Sequence, residues 1–331
     1  MRVLAANLTG APQKYEPFAI RIIQGLKPDI IAIQEFNYSN NTPAQIRSFI
    51  DTAFGASFNY FRESGAGYDI PNGIVSRFPI LTNGTWDDPQ IPNRGFAWAK
   101  LDLPGTNELF VVSVHLKAGG SSDASTRSLE ATALKNLIQT NWPANAWIVV
   151  AGDCNLQNRS EAALTTLKTI LSDAPIPADH NGDADTNAGR NNPYDVVLPS
   201  FTFATNFVPV VVGAQTYNNG LVFDSRVFPN LSTVPPVQTA DSGMAQHMAV
   251  LKDFRIHYTI TNLVDVPRPL LVLSKTNSIR WQTVPGITYT VERSTNLTNW
   301  SNVAQFTATA INAIFTNVLT AQPYQFYRVS Y

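Results

Sequence analysis

The chain is poor in cysteine, in charge and in long apolar runs, and each shortage excludes something. Among 331 residues there is one cysteine, Cys154. An intrachain disulfide is therefore excluded, as is a cysteine-based zinc site. Charged residues make up only 14% of the chain, and the net charge is −1. Tight, salt-driven binding of nucleic acid needs one cation per neutralised phosphate, so this balance speaks against it. Transient contact with a phosphorylated substrate stays open. No stretch of about 18 apolar residues occurs, so no membrane-spanning helix is expected. No signal peptide is read at the start, where Met1-Arg2 leads straight into the strand-like Val3–Ala6. A strand beginning that early hints that an upstream segment has been removed.

What is present is enough for a large core. Hydrophobic residues account for 44% and aromatics for 11%, the composition of a globular protein. Residues 1–258 alternate strand-like runs with helical stretches. Helices are expected at 15–26, 43–54, 127–141 and 160–171. Strands are expected at 3–6, 29–34, 58–62, 73–77, 95–102, 109–115, 147–151, 194–198 and 249–256. This order predicts an α/β fold, two packed mixed β-sheets flanked by helices in a four-layer sandwich. Residues 259–268, with Pro267, read as a linker. Residues 269–331 hold only short turn-bounded runs and read as a small all-β sandwich. The acidic excess sits before residue 259 and the basic excess after it.

Six strand-like runs carry polar side chains at one end. Asn7, Glu35 and His115 close theirs. Asp195 and His247 open theirs. The run Ile148–Gly152 ends in Asp153, Cys154 and Asn155. One polar residue at a strand end is ordinary. Six of them, all carboxylates, carboxamides or histidines, predict a shared rim where layered α/β folds place their sites. Glu, Asp and Asn oxygens suit Mg²⁺, Mn²⁺ or Ca²⁺. Histidines suit acid–base work or contact with a phosphoryl group. With no activated Ser or Cys in view, water is the expected nucleophile and a phosphate ester the expected substrate. Asp153 and Asn155, two apart on an extended chain, should face one side, and Cys154 should face the core as inert packing.

Read in order, AANL at 5–8, IQEF at 33–36, NGIVSRFPI at 72–80, VVSVHLKAGG at 111–120, VAGDCNL at 150–156 and PYDVVL at 193–198 resemble the endonuclease/exonuclease/phosphatase superfamily, which is DNase I-like. The resemblance covers residues 1 to about 258. It implies a metal-dependent phosphodiesterase, with Mg²⁺ the first choice of cation. It implies that Glu35 and Asn7 hold the metal, that His115 steadies the scissile phosphate, and that Asp153 orients or deprotonates the attacking water. Asn155 would position phosphate or a second metal, Asp195 would hold the ring of His247, and His247 would bond a phosphate oxygen. Asn72, Arg94 and Arg127 are further candidates for phosphate contact.

One departure stands out. The superfamily closes its core with Ser-Asp-His, whereas this chain has Ala245-Gln246-His247. Gln246 offers one neutral oxygen in place of a carboxylate, and Asp241 is the nearest acid that could reach back. The expected function is an extracellular nuclease acting on DNA or RNA. Sphingomyelinase-like and phosphomonoesterase activities are the alternatives on the same core. A binding protein that has lost catalysis through Gln246 is the alternative of another class. A monomer without stable membrane insertion is expected. The tail resembles small C-terminal β-domains of secreted bacterial proteins of the Verrucomicrobia–Planctomycetes group, and its aromatics Trp281, Tyr289, Trp300, Phe326 and Tyr327 are expected in its core. Asp179, Asn181, Asp183 and Asp185 are spaced like the start of a calcium loop, but Ala184 and Arg190 stand where Gly and Glu belong. A surface loop bearing His180 is the preferred reading. His257 is expected to be structural.

Overall fold

The computed structural model describes residues 1–65, 67–105, 107–256, 272–273, 278–316 and 325–331. They form two compact units, Met1–His257 and Tyr258–Tyr331. The expected linker at 259–268 and His257 lie outside the described residues.

The first unit opens with β1 (Arg2–Ala6), α1 (Pro17–Leu26), β2 (Ile30–Ile33), α2 (Pro43–Ala53), β3 (Asn59–Arg62) and β4 (Gly73–Ser76). It continues with β5 (Ile80–Asp87), β6 (Gly95–Asp102), β7 (Glu108–His115), α3 (Ala124–Asn141), β8 (Trp147–Asp153) and α4 (Ala162–Leu167). It closes with β9 (Asp195–Pro199), α5 (Phe201–Ala204), β10 (Phe207–Val208), β11 (Val210–Val212), β12 (Gln215–Tyr217), β13 (Leu221–Phe223), α6 (Asp241–Met244) and β14 (Ala249–Phe254). Local chemistry sets several boundaries. Pro17 and Pro43 stand at the first turn of their helices, where a missing N–H costs nothing. Thr42 caps α2 by accepting from the Gln45 N–H while Gln45 accepts from the Thr42 N–H.

Seven strands form one sheet in the order β10-β14-β1-β2-β4-β3, with β13 also paired to β14. Five form the other in the order β5-β6-β7-β8-β9. β1 and β2 run parallel, as do β7 and β8. β1, β2 and β8 are buried on both faces, which is why residues 3–6, 30–33 and 148–151 are unbroken apolar runs. Leu4, Ala6, Ile31 and Ile33 pack under α1 and α2. Val3, Ala5, Ile30 and Ala32 meet Val111, Val149, Ala151 and Val197 between the sheets. Val112, Val114, Ile148 and Val150 pack under α3 and α4. The result is a four-layer α/β/β/α sandwich. Each fully buried Val, Leu or Ile contributes roughly 1.5–3 kcal/mol to it.

Some elements differ from expectation. β5 carries no apolar alternation, because it is an edge strand with half of its residues exposed and none buried. Trp98 lies against it at Gly84, where a Cβ would come within 2.8 Å of the indole. α3 begins at Ala124, and α4 covers only six of the residues expected at 160–171.

The second unit has β15 (Val272–Leu273), β16 (Ser278–Gln282), β17 (Thr288–Ser294), β18 (Ser301–Thr307), β19 (Asn312–Thr316) and β20 (Phe326–Ser330). They form two three-stranded antiparallel sheets, β15-β16-β19 and β18-β17-β20, that share a core of Ile279, Trp281, Tyr289 and Val291. Tyr327 packs against it, partly buried. Phe326 and Trp300 are not in that core. Phe326 is exposed, and the Arg328 guanidinium lies over the Trp300 ring at 4.5 Å.

Candidate active site

The polar strand ends converge because the topology aligns them. Asn7 and Glu35 follow the carboxyl ends of β1 and β2. His115 and Asp153 end β7 and β8. β9 and β14 run antiparallel to their neighbours, so their starts, Asp195 and the nearby His247, reach the same rim. Register finishes the placement: His115 lies opposite Asp153, and Asp153 opposite Asp195. Gly152 lets the strands come this close. Its φ is +140°, and a Cβ there would sit 2.2 Å from the Val114 carbonyl.

Asp153 Oδ2 is the centre of the group. His115 Nε2 lies 3.3 Å from it, Asn7 Nδ2 3.4 Å and His247 Nδ1 3.7 Å. His247 Nδ1 also lies 2.9 Å from Asp195 Oδ2. Glu35 sits in a second group, joined to the first through Thr9. The Thr9 hydroxyl is 2.5 Å from Glu35 Oε2 and 3.1 Å from Asn7 Oδ1. Gln13 Nε2 donates to Glu35 Oε1 at 3.2 Å. All six expected strand-end residues are buried.

Burial and neighbouring charge separate the protonation states. Burial lifts the Asp153 carboxyl to about 7, although the His247 charge pulls the other way. His247 is raised to about 9: burial would lower it, but Asp195 and Asp153 together outweigh that effect. His115 is pushed well below its ordinary value by burial, Arg94 and His247, so it is neutral at physiological pH. The rim thus holds an imidazolium, a neutral imidazole and a carboxyl group poised near neutrality.

Several expected participants are placed elsewhere. Asn155 is not on an extended chain. β8 ends at Asp153, and Asn155 has φ +50° because Asp153 Oδ1 accepts its N–H at 2.9 Å. Its amide then donates to the Leu116 carbonyl at 3.1 Å, so the expected side-by-side pair with Asp153 does not form. Asp241 does not reach back to the site. Both of its oxygens bond Arg21, and Oδ2 accepts the Gln238 N–H. Arg127 is fully buried, paired with Glu161 and bonded to the carbonyls of Lys117, Gly119 and Gly120. Arg94 is buried and donates to the carbonyls of His115 and Leu116. Asn72 belongs to a separate buried group, where its amide donates to the Gly95 carbonyl and its N–H to Glu63.

Gln246 has a different use from that expected. Its Nε2 faces the Thr9 hydroxyl at 2.8 Å, the Gly10 carbonyl at 3.1 Å and Glu35 Oε2 at 3.1 Å. A carbonyl accepts and never donates, so this side of the amide is the NH₂. Gln246 therefore supports Glu35 as a donor, and this amide nitrogen is not a cation ligand. Sequence reasoning passed over Thr9, Gln13 and Thr186, whose hydroxyl donates to Asp195 Oδ2 at 2.8 Å. Thr9 stands two residues from Asn7 and could have been suspected. Thr186 gave no signal, because its contact depends on a loop closing. Cys154 is buried against the α3–α4 side, as its neutral role requires.

The donor set fits a hard divalent cation. Asp153, Asp195 and His247 place potential ligand atoms within 4.8 Å of one another, His247 serving as a ligand only in its neutral form. Asp195 Oδ1 is buried without a hydrogen-bond partner, an acceptor that a cation would satisfy. Glu35 and Asn7 add oxygen donors of the type such ions prefer.

No protein-family profile matches the chain, and no curated protein matches it in sequence. Solved structures do match in shape. An endonuclease/exonuclease/phosphatase from Beutenbergia cavernae DSM 12333 superposes with a TM-score of 0.54 at 12% identity, covering 100% of this chain and 99% of its own. An endonuclease/exonuclease/phosphatase family protein from Leptotrichia buccalis C-1013-b gives 0.52 at 13% identity, covering 77% of this chain and 100% of its own. A mannosyl-6-phosphatase from Bacteroides thetaiotaomicron VPI-5482 gives 0.50 at 15% identity, with the same coverage of 77% and 100%. The chain has the DNase I-like α/β fold of the endonuclease/exonuclease/phosphatase proteins.

Proposed function

We propose that the protein hydrolyses phosphate esters by in-line attack of water, assisted by a divalent cation. The observation that carries this reading is the position of Asp153 Oδ2 between His115, Asn7 and His247. A carboxyl group raised to about 7 takes a proton from water near neutral pH more readily than an ordinary carboxylate. His247, charged and held by Asp195, presents a cation to a phosphoryl oxygen. His115, neutral, orients Asp153. Glu35, Asn7 and Asp195 would hold the cation, with Mg²⁺ the first choice for oxygen donors. A bound cation supplies charge stabilisation for the phosphoryl oxygens and the leaving group.

A nucleic acid remains one substrate of this reading, and an extracellular nuclease its sharpest form. The pairing of the arginines favours a smaller phosphate ester. Arg21, Arg127, Arg190 and Arg226 are each ion-paired within the protein, and Arg94 is spent on backbone carbonyls. Binding to a polyanion draws on free cations. The Bacteroides mannosyl-6-phosphatase shows that this fold can host a small substrate.

The test is turnover on plasmid DNA, RNA, sphingomyelin, a bis-aryl phosphodiester and a sugar monophosphate, each with Mg²⁺, Mn²⁺, Ca²⁺ or chelator. Cation-dependent hydrolysis lost in Glu35→Ala, Asp153→Asn and His247→Ala is expected. Absence of turnover on every substrate with every cation would leave the reading without support and favour a binding protein.

A further inference from the structure

The calcium-like spacing at Asp179, Asn181 and Asp183 is not absorbed by the reading above, and the structure shows what fills that loop. Asp179 Oδ1 accepts the N–H groups of Asn181 and Asp183 at 2.8 and 3.0 Å. The Asp179 N–H donates to the Asp183 carbonyl at 2.8 Å, closing the turn. Into this turn reaches Arg190. Its Nη2 lies 2.7 Å from Asp179 Oδ2, 2.9 Å from Asp183 Oδ2 and 3.3 Å from the Asp183 carbonyl. Its Nη1 lies 3.4 Å from Asp224 Oδ2. Asp179 and Asp224 are buried. Three carboxylates and a carbonyl thus surround one guanidinium. This is the oxygen set that a hard cation takes, arranged around a cation that belongs to the chain. In a calcium loop the twelfth residue supplies a carboxylate. Here the twelfth residue supplies the positive charge.

The same loop holds the reacting pair. The Thr186 hydroxyl donates to Asp195 Oδ2 and accepts from the Asp195 N–H, both at 2.8 Å. The Thr186 carbonyl accepts from the Met248 N–H at 2.6 Å. Asn187 forms an antiparallel bridge with His247. The Arg190 N–H donates to the Asn187 carbonyl at 2.9 Å. One short path therefore leads from the guanidinium to both Asp195 and His247.

We propose that Arg190 is a positioning residue, an internal cation that stands in for calcium in the 179–190 loop and through Thr186 and Asn187 keeps Asp195 and His247 in register. Its kinetic consequence rests on the phosphoester-hydrolase reading. Its structural consequence does not.

The test replaces the cation. Arg190→Gln leaves Asp179 and Asp183 without their counter-charge, while Asp224 keeps Arg226 at 2.6 Å. By equilibrium dialysis with calcium chloride, this variant is expected to bind one Ca²⁺ more than the wild type. Arg190→Lys and the double variant Arg190→Gln/Asp183→Asn are expected to bind none extra. With Mg²⁺ as the only divalent ion, kcat of Arg190→Gln should fall on the order of 10- to 100-fold, as misplacement of reacting groups does, with KM nearly unchanged. Added Ca²⁺ should restore it. Equal calcium binding by Arg190→Gln and wild type would overturn the proposal, as would a lost kcat that bound calcium leaves unrestored. If the wild type hydrolyses nothing, the hydrolase reading fails by itself. The calcium count and the NMR amide shifts of Asn187 and His247 then decide: shifts that move in Arg190→Gln and return with Ca²⁺ support the proposal, and unmoved shifts overturn it. If the variant unfolds in chelator, refolding by Ca²⁺ supports the proposal and failure to refold overturns it.

Discussion

Replacing Gln246 by Glu tests the position of its amide against Glu35. The wild-type amide donates to Glu35, Thr9 and Gly10. A carboxylate there faces the Gly10 carbonyl and a second carboxylate near 3.1 Å. Two like charges at about 3 Å repel by roughly 5 kcal/mol at an effective dielectric constant of about 20. Gln246 is half-buried, so solvent screening removes about half of that. The lost donors to Thr9 and Gly10 add about 1 kcal/mol each. The sum is a destabilisation of roughly 4.5 kcal/mol without metal, or about 9–18 °C in Tm for a unit of this size. A divalent cation reverses the sign, because its two positive charges would then be shared by two carboxylates and Asn7. Melting followed by far-ultraviolet circular dichroism reports on this unit, since every helix among the described residues lies in it. The variant should melt well below the wild type in chelator, and Mg²⁺ or Mn²⁺ should raise its Tm far more than that of the wild type. Equal Tm values in chelator, or equal responses to metal, would refute the placement of Gln246 against Glu35.

Three further outcomes follow from buried groups. Arg127→Met should destabilise the protein by about 3–5 kcal/mol in urea unfolding, because Glu161 loses its buried partner. In metal-free protein the urea midpoint should fall as pH rises. His247 titrates at about 9 when folded against 6.5 ordinarily, so its contribution, roughly 3 kcal/mol, is complete below about pH 6.5 and lost through about pH 9. Asp153, raised from 3.8 to about 7, acts in the same sense at lower pH. His247→Gln should flatten the alkaline limb, and a midpoint that rose from about pH 6 to about pH 10 would contradict these assignments. Cys154, buried and with its thiol pushed well above the ordinary value, should resist a thiol-specific reagent until urea unfolds the chain. Rapid labelling of native protein would show that the β8 end opens.

Legibility in the sequence tracked burial. β1, β2, β7 and β8 are covered on both faces, so their apolar runs mark them, and the polar residues at their ends mark the rim. β5 has no buried face to impose a pattern, and β10 to β13 are too short to show one. The rim residues Glu35, His115, Asp153, Asp195 and His247 were visible as residue types at strand ends. Their partners were not, because Thr186 meets Asp195 only through the closure of an irregular loop, and Gln246 reaches Glu35 from the far end of the unit. Charge alone misled at Arg127 and Asp241. Each has its counter-charge far away in sequence, at Glu161 and Arg21, and a buried ion pair looks the same in sequence as a free charge awaiting a ligand.

β14 pairs with β1 across nearly the whole first unit, with Arg2 opposite Asp253 and Ala5 opposite Val250. During synthesis, β1 leaves the ribosome long before its neighbour exists. At about 5–20 residues per second, that interval is on the order of tens of seconds. Asn7 and Glu35 are made early, but His247 arrives with the last strand, so the reacting group assembles only when the unit closes. A nascent or truncated chain that stops short of β14 exposes the edge of β1 and lacks His247. It is then at once prone to aggregation and left with an incomplete rim.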